Sequence, residues 1–123
     1  MTDERELASF IRSTFRSVWT LELLLYLKEH KDRAWSRAEL VQGLRASDSI
    51  VATGLDCLLA AGLIITEGDG KVCYRPATPG MEALAEGAER LYAQRPDAMR
   101  RLIVDPGADG VTAFADAFRL RRD

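Results

Sequence analysis

Few side chains in this sequence are suited to covalent or metal chemistry: a single histidine, His30, and two cysteines, Cys57 and Cys73. The cysteines lie too far apart for a CxxC pair, and neither has a second cysteine or a histidine at metal-ligand spacing. Both are expected to act as small, partly buried hydrophobes in a reducing compartment, with a redox-sensing thiol as the alternative. His30 follows an apolar run and stands among Lys28, Glu29, Lys31 and Asp32, where its charged form suits a helix C-terminus better than proton transfer. No glycine-rich phosphate loop and no nucleophile with an adjacent base is present, so no catalytic residues, metal or cofactor are expected and the chain does not read as an enzyme.

The remaining chemistry is charge and hydrogen bonding. A formal net charge of -2 with 29% charged residues excludes a strongly basic chain, so any grip on phosphate has to come from a local patch. With 47% apolar residues in 123, one domain can bury a single core without disulfides or metals. Met1 to Glu6 is acidic and unlike a secretory signal, and the longest apolar run, Leu23 to Leu27, is far too short to span a bilayer. A cytoplasmic location with no membrane partner is expected.

Local signals divide the chain into elements. Leu7, Phe10, Ile11, Phe15 and Val18 recur at helical spacing, and Val18 to Leu27 is apolar almost all round its end, which predicts a central helix covered on more than one side. Ser13 and Ser17 leave open whether these are two helices or one long bent one. Ala34-Trp35 is a short apolar stretch. Ser36 and Glu39 have the spacing of a capping box, so a helix starts there with Leu40, Val41 and Leu44 inward. Arg45 to Ser49 forms a turn with Ser47 or Asp48 as the next N-cap. A further helix then reaches about Ala61 with Val51, Leu55, Leu58 and Leu59 facing the core, and Gly62 closes it.

Two short runs, Leu63 to Thr66 and Lys71 to Arg75, flank Glu67-Gly68-Asp69-Gly70 and predict a β-hairpin. Thr78-Pro79 opens another helix with the stripe Met81, Leu84, Ala88, Leu91 and Tyr92. Pro96 to Val104 allows a short helix, and Val111, Phe114, Ala115 and Phe118 mark a last one. The expected organisation is a single domain over 1–123: an N-terminal helix over 1–17, a core over 18–76 and a C-terminal helical segment over 78–123. The fold class is mainly α with a small β-hairpin.

The order helix, apolar stretch, helix, turn, helix, hairpin resembles a winged helix-turn-helix domain with extra N- and C-terminal helices. The segment Val51 to Ile64, VATGLDCLLAAGLI, resembles the third helix and wing entry of MarR-like and PadR-like bacterial transcriptional regulators, and the resemblance covers about Val18 to Arg75. It implies a homodimer that places this helix in the DNA major groove and the hairpin on the backbone or minor groove. The groove-facing positions would be Asp48, Ser49, Ala52, Thr53 and Asp56, and the wing tip would be Glu67 to Lys71. The residues expected to touch DNA are Arg37, Arg45, Ser47, Ser49, Thr53, Lys71 and Arg75, with Arg33 at the edge.

The charge pattern departs from that family. Between Arg45 and Lys71 there is no lysine or arginine, while Asp48, Asp56, Glu67 and Asp69 are acidic. Phosphate neutralisation supplies nearly all non-specific DNA affinity, and the usual Arg, Lys, Asn and Gln base readers are missing from the helix. The competing expectation is therefore a winged-helix module that binds a basic protein partner through this acidic face. Under either reading the apolar side chains of Leu7, Phe10, Ile11, Phe15, Leu91, Tyr92, Phe114 and Phe118 predict a dimer interface, the alternative being that the extra helices cover one another within one chain. Trp19, Tyr26 and Trp35 are core residues first and candidate lining of an effector pocket second.

Overall fold

A computed structural model of the chain describes residues 4–104. Its order is α1 (Glu4–Thr14), α2 (Val18–Glu29), α3 (Arg37–Leu44), α4 (Asp48–Ala61), β1 (Ile64–Thr66), β2 (Val72–Tyr74), α5 (Pro79–Gln94) and α6 (Pro96–Val104). The described residues are thus mainly helical with one small antiparallel sheet. The helix expected around 111–118, with Phe114 and Phe118, lies outside the described residues.

The choice left open at Ser13 and Ser17 resolves as two helices. Ser13 Oγ donates to Phe10 O at 3.2 Å in the last turn of α1, and Ser17 takes extended backbone angles as the N-cap of α2. Phe15 turns inward at the corner, 2% exposed, with its ring edge-on to Phe10 at 5.7 Å.

Helix α2 is central because it is apolar on two sides. Leu21, Leu23, Leu24 and Leu27 are all buried, and the helix packs against α3, α4, α6 and β2. Where α2 crosses α4 a glycine eases the fit: a Cβ on Gly54 would stand 2.9 Å from Leu23 Cδ2 and force that buried side chain to shift.

Helices α3 and α4 each start on a side-chain cap. Ser36 Oγ accepts from Glu39 N–H at 3.1 Å while Glu39 Oε1 accepts from Ser36 N–H at 2.9 Å, a complete capping box. Ser47 Oγ accepts from Ile50 N–H at 3.1 Å at the head of α4. Between the helices Arg45 takes a left-handed conformation, φ 57°, as the C-cap of α3. Gly62 does the same for α4 at φ 77°, and Leu63 N–H then returns to Leu58 O at 3.1 Å, which turns the chain directly into β1.

The hairpin pairs Ile64 with Tyr74, Ile65 with Cys73 and Thr66 with Val72. Its outer side is extended by Trp35, whose N–H and C=O exchange hydrogen bonds with Val72 at 2.7 and 2.8 Å, so the Ala34-Trp35 stretch acts as a one-residue third strand. This ties the segment before α3 to the hairpin after α4. Thr78 caps α5 by accepting from Met81 N–H at 3.1 Å, with Pro79 in the first turn.

Helices α5 and α6 pack on each other and on α1. Ile11, Phe15 and Phe10 therefore lie inside the core of the single chain at 0%, 2% and 7% exposure. They belong to one buried cluster with Leu84 and Ala88 of α5 and Met99 and Leu102 of α6. Three aromatic and aliphatic residues of the expected dimer face are thus buried within the single chain, the arrangement of the alternative in which the extra helices cover one another. Leu7, Leu91 and Tyr92 are half-buried against the same cluster. Tyr92 Oη also donates to Glu22 Oε2 at 2.7 Å, and Lys28 pairs with Glu89 at 2.8 Å, joining α5 to α2. Among the described residues no helix is long and apolar enough to cross a membrane.

Candidate nucleic-acid interface

The α3–turn–α4 unit and the hairpin form one face, and two of the cations on it are already paired. Arg37, at the start of α3, places Nε 3.0 Å from Asp48 Oδ1 at the start of α4. Arg33 Nη2 lies 2.8 Å from Glu39 Oε1, and the same guanidinium stacks 3.8 Å over the ring of Trp35. The Glu39 carboxyl is held at about 2, well below its usual value, first by the Ser36 N–H and then by Arg33, with Lys71 adding attraction. Arg33, Arg37 and Lys71 thus act on neighbouring carboxylates, and exposed pairs of this kind are weak enough to be exchanged for a phosphate.

On α4, Ser49, Thr53 and Asp56 share one exposed face, with Ala52 half-buried beside them. These are the positions expected to face outward. Ser47 is at the same helix start, but its hydroxyl oxygen is occupied by the N-cap hydrogen bond. Arg45 is exposed at the turn. Asp69 Oδ1 accepts from Lys71 N–H at 3.1 Å and shapes the hairpin tip, where Gly70 has φ 86°.

Two expected members of this face sit elsewhere. Cys73 Sγ donates to Glu67 Oε2 at 3.3 Å, and Arg75 acts on the same thiol. Cys73 alternates with Val72 and Tyr74 along β2, so this cluster belongs to the opposite side of the hairpin from Val72. Burial, and then the Glu67 carboxylate, push the Cys73 thiol up, which disfavours the thiolate. Cys57 is half-buried on α4.

His30 caps α2. Its N–H donates to Tyr26 O, its Nδ1 lies 2.9 Å from the same oxygen, and its own carbonyl accepts from Trp35 Nε1 at 3.3 Å. Tyr26 and Trp35 pack edge-to-face at 5.2 Å, whereas Trp19 is 40% exposed on the surface. Among the described residues no group of three or more His, Cys, Asp or Glu is placed to hold a metal ion.

A groove of about 410 Å³ separates α4 from the hairpin. Trp35 and Arg37 line one side, Leu55, Asp56 and Leu59 form the α4 wall, and Thr66 and Val72 the hairpin wall. Leu59 was expected inward with Leu58, but adjacent helical positions point about 100° apart and only Leu58 is buried; Leu59 is 37% exposed at the lip. No signal in the sequence marks this groove, since the Trp35–Val72 bridge that shapes it joins distant segments.

No family model, curated protein or solved structure matches this chain.

Proposed function

We propose that the chain is a winged helix-turn-helix transcriptional regulator that acts as a homodimer, with α4 as the recognition helix and the hairpin as the wing. The observation that carries this reading is the α3–turn–α4 unit held against the hairpin by the Trp35–Val72 bridge, which leaves Ser49 and Thr53 exposed on the first half of α4. Hydroxyls at those positions make base-edge contacts weaker than those of Arg or Asn. Arg45 is exposed at the turn before α4, while Arg37 and Arg33 must each leave a carboxylate to reach a phosphate. The reading therefore calls for modest affinity per protomer, doubled contacts in a dimer, and steep dependence on salt. The test is enrichment of bound duplexes from a randomised pool together with light scattering of the free protein. A selected sequence that changes with Ser49→Ala or Thr53→Ala, and a mass of two chains, support it; an unenriched pool overturns DNA recognition, and a mass of one chain overturns the homodimer.

A second reading, a protein-binding module, is favoured by one specific observation. Leu59 is exposed directly beside Asp56, a carboxylate with no ion-pair partner among the described residues. An apolar contact next to an uncompensated negative charge suits a basic protein segment better than a phosphate backbone.

A further inference from the structure

The groove between α4 and the hairpin has an apolar floor and a charged lip. Leu55 and Val72 are 8% and 4% exposed at its base, and Leu59 opens at the rim. One guanidinium group lines it, that of Arg37, and it is paired with Asp48; Arg33, stacked over the ring of Trp35, is paired with Glu39. Lys71 adds its attraction to the same Glu39 carboxylate. The charge in the lining with no ion-pair partner among the described residues is that of Asp56, on the α4 wall three residues before Leu59. Residues three apart on a helix stand on the same side, so the apolar contact and the carboxylate face one occupant together.

We propose that this groove docks a short amphipathic segment of a partner protein, which places an apolar side chain against Leu55, Leu59 and Val72 and an arginine or lysine on Asp56. The inference rests on the protein-binding reading and names the class of partner. A nucleic-acid strand suits the groove less well, because its α4 wall presents the Asp56 carboxylate, its floor is apolar and its lining cation, Arg37, is paired with Asp48. The groove volume falls in the range that accepts compact side-chain anchors, and amphipathic segments laid into grooves use this combination of apolar anchors and flanking charge. Asp56 also lies on the exposed face that carries Ser49 and Thr53, so a docked segment covers part of the surface assigned to DNA. Partner and duplex then compete for α4.

Trp35 lines the groove and provides the reporter, once Trp19→Phe removes the other tryptophan. The probe is a peptide of about twelve residues with leucine and arginine at helical spacing, and the control is the same peptide with glutamate for arginine. The basic peptide is expected to shift Trp35 emission saturably and to bind about tenfold more tightly than the control. Leu59→Ser and Asp56→Asn, both at exposed positions, are each expected to weaken it by about tenfold with the circular dichroism spectrum unchanged. Equal binding of the two peptides overturns the proposal. Binding of the basic peptide alone that neither variant weakens overturns the groove assignment and leaves the protein-binding reading standing. Absence of binding by either peptide, followed also by polarisation of a labelled peptide, overturns both.

Discussion

Arg37 and Asp48 face each other across the turn between α3 and α4, Nε to Oδ1 at 3.0 Å, with side chains 55% and 65% exposed. The first cation of the candidate interface is therefore balanced by the first carboxylate of the helix that would enter the groove. Exposed pairs contribute about 0–1 kcal/mol to stability, so separating them costs the fold little. Their effect on a phosphate partner is larger, because one group attracts it and the other repels it.

Asp48→Asn is expected to strengthen low-salt binding to a mixed-sequence duplex by several-fold while shifting unfolding by less than about 1 kcal/mol. Fluorescence anisotropy and a urea melt check the two halves. Replacing Asp48, Asp56, Glu67 and Asp69 together by Asn or Gln removes repulsion further, and the gain is expected to exceed that of Asp48→Asn alone. Since Glu67 is turned toward Cys73, its share should be the smallest.

Two left-handed caps give opposite predictions. Gly62→Ala puts a side chain at φ 77°, with its Cβ 3.4 Å from Ala77 Cβ, and is expected to cost about 1–2 kcal/mol. Arg45 already bears that conformational cost at φ 57°, so Arg45→Gly is expected to leave stability unchanged or raise it by up to about 1 kcal/mol. The denaturant midpoint of Gly62→Ala should fall, and that of Arg45→Gly should hold or rise.

Phe15 separates core from interface. Phe15→Ala removes a ring that is 2% exposed within the single chain and is expected to cost about 3–5 kcal/mol. If the ring instead served a dimer contact, the loss would shrink as protein concentration rises. Thermal melts across a wide concentration range distinguish the two.

Stability should bend at both ends of the pH scale. Glu39 ionises at about 2 when folded, against its ordinary value of 4.5. The unfolded chain therefore takes up the proton first, and the stabilisation present above about 4.5 is lost as pH falls toward 2. Glu39→Gln should abolish that acid-side slope. On the alkaline side, burial holds the Tyr74 hydroxyl well above its usual 10, with Glu82, Glu86 and Glu89 reinforcing it, and the Glu22 carboxylate raises Tyr92. The unfolded chain loses those protons first, so stability falls as pH rises through 10.

The local signals were legible because they act within a turn. Ser36 with Glu39, Thr78-Pro79 and Gly62 are each placed by the sequence and occupied in the structure as caps or turn residues, and of Ser47 and Asp48, both open from the sequence, Ser47 is the cap. The pairing of distant segments was not legible. Ala34-Trp35 announces an apolar stretch but not that Trp35 will bond to Val72, and the Arg37–Asp48 pair depends on the left-handed turn at Arg45. Periodicity placed Phe10, Ile11 and Phe15 on one stripe without saying what covers it; α5 and α6 of the same chain do. Leu58 and Leu59 are the same residue type side by side, so composition could not say which one turns outward.

Fluorescence anisotropy of the purified protein with a labelled mixed-sequence duplex, begun at low salt and repeated as salt rises, tests the DNA-binding claim most directly. Micromolar binding that weakens steeply with salt is the predicted result, because Arg37, Arg45 and Lys71 would be releasing counterions from phosphates. Absence of binding at low salt and tens of micromolar protein would contradict the regulator reading and leave the face of α4 to a protein partner.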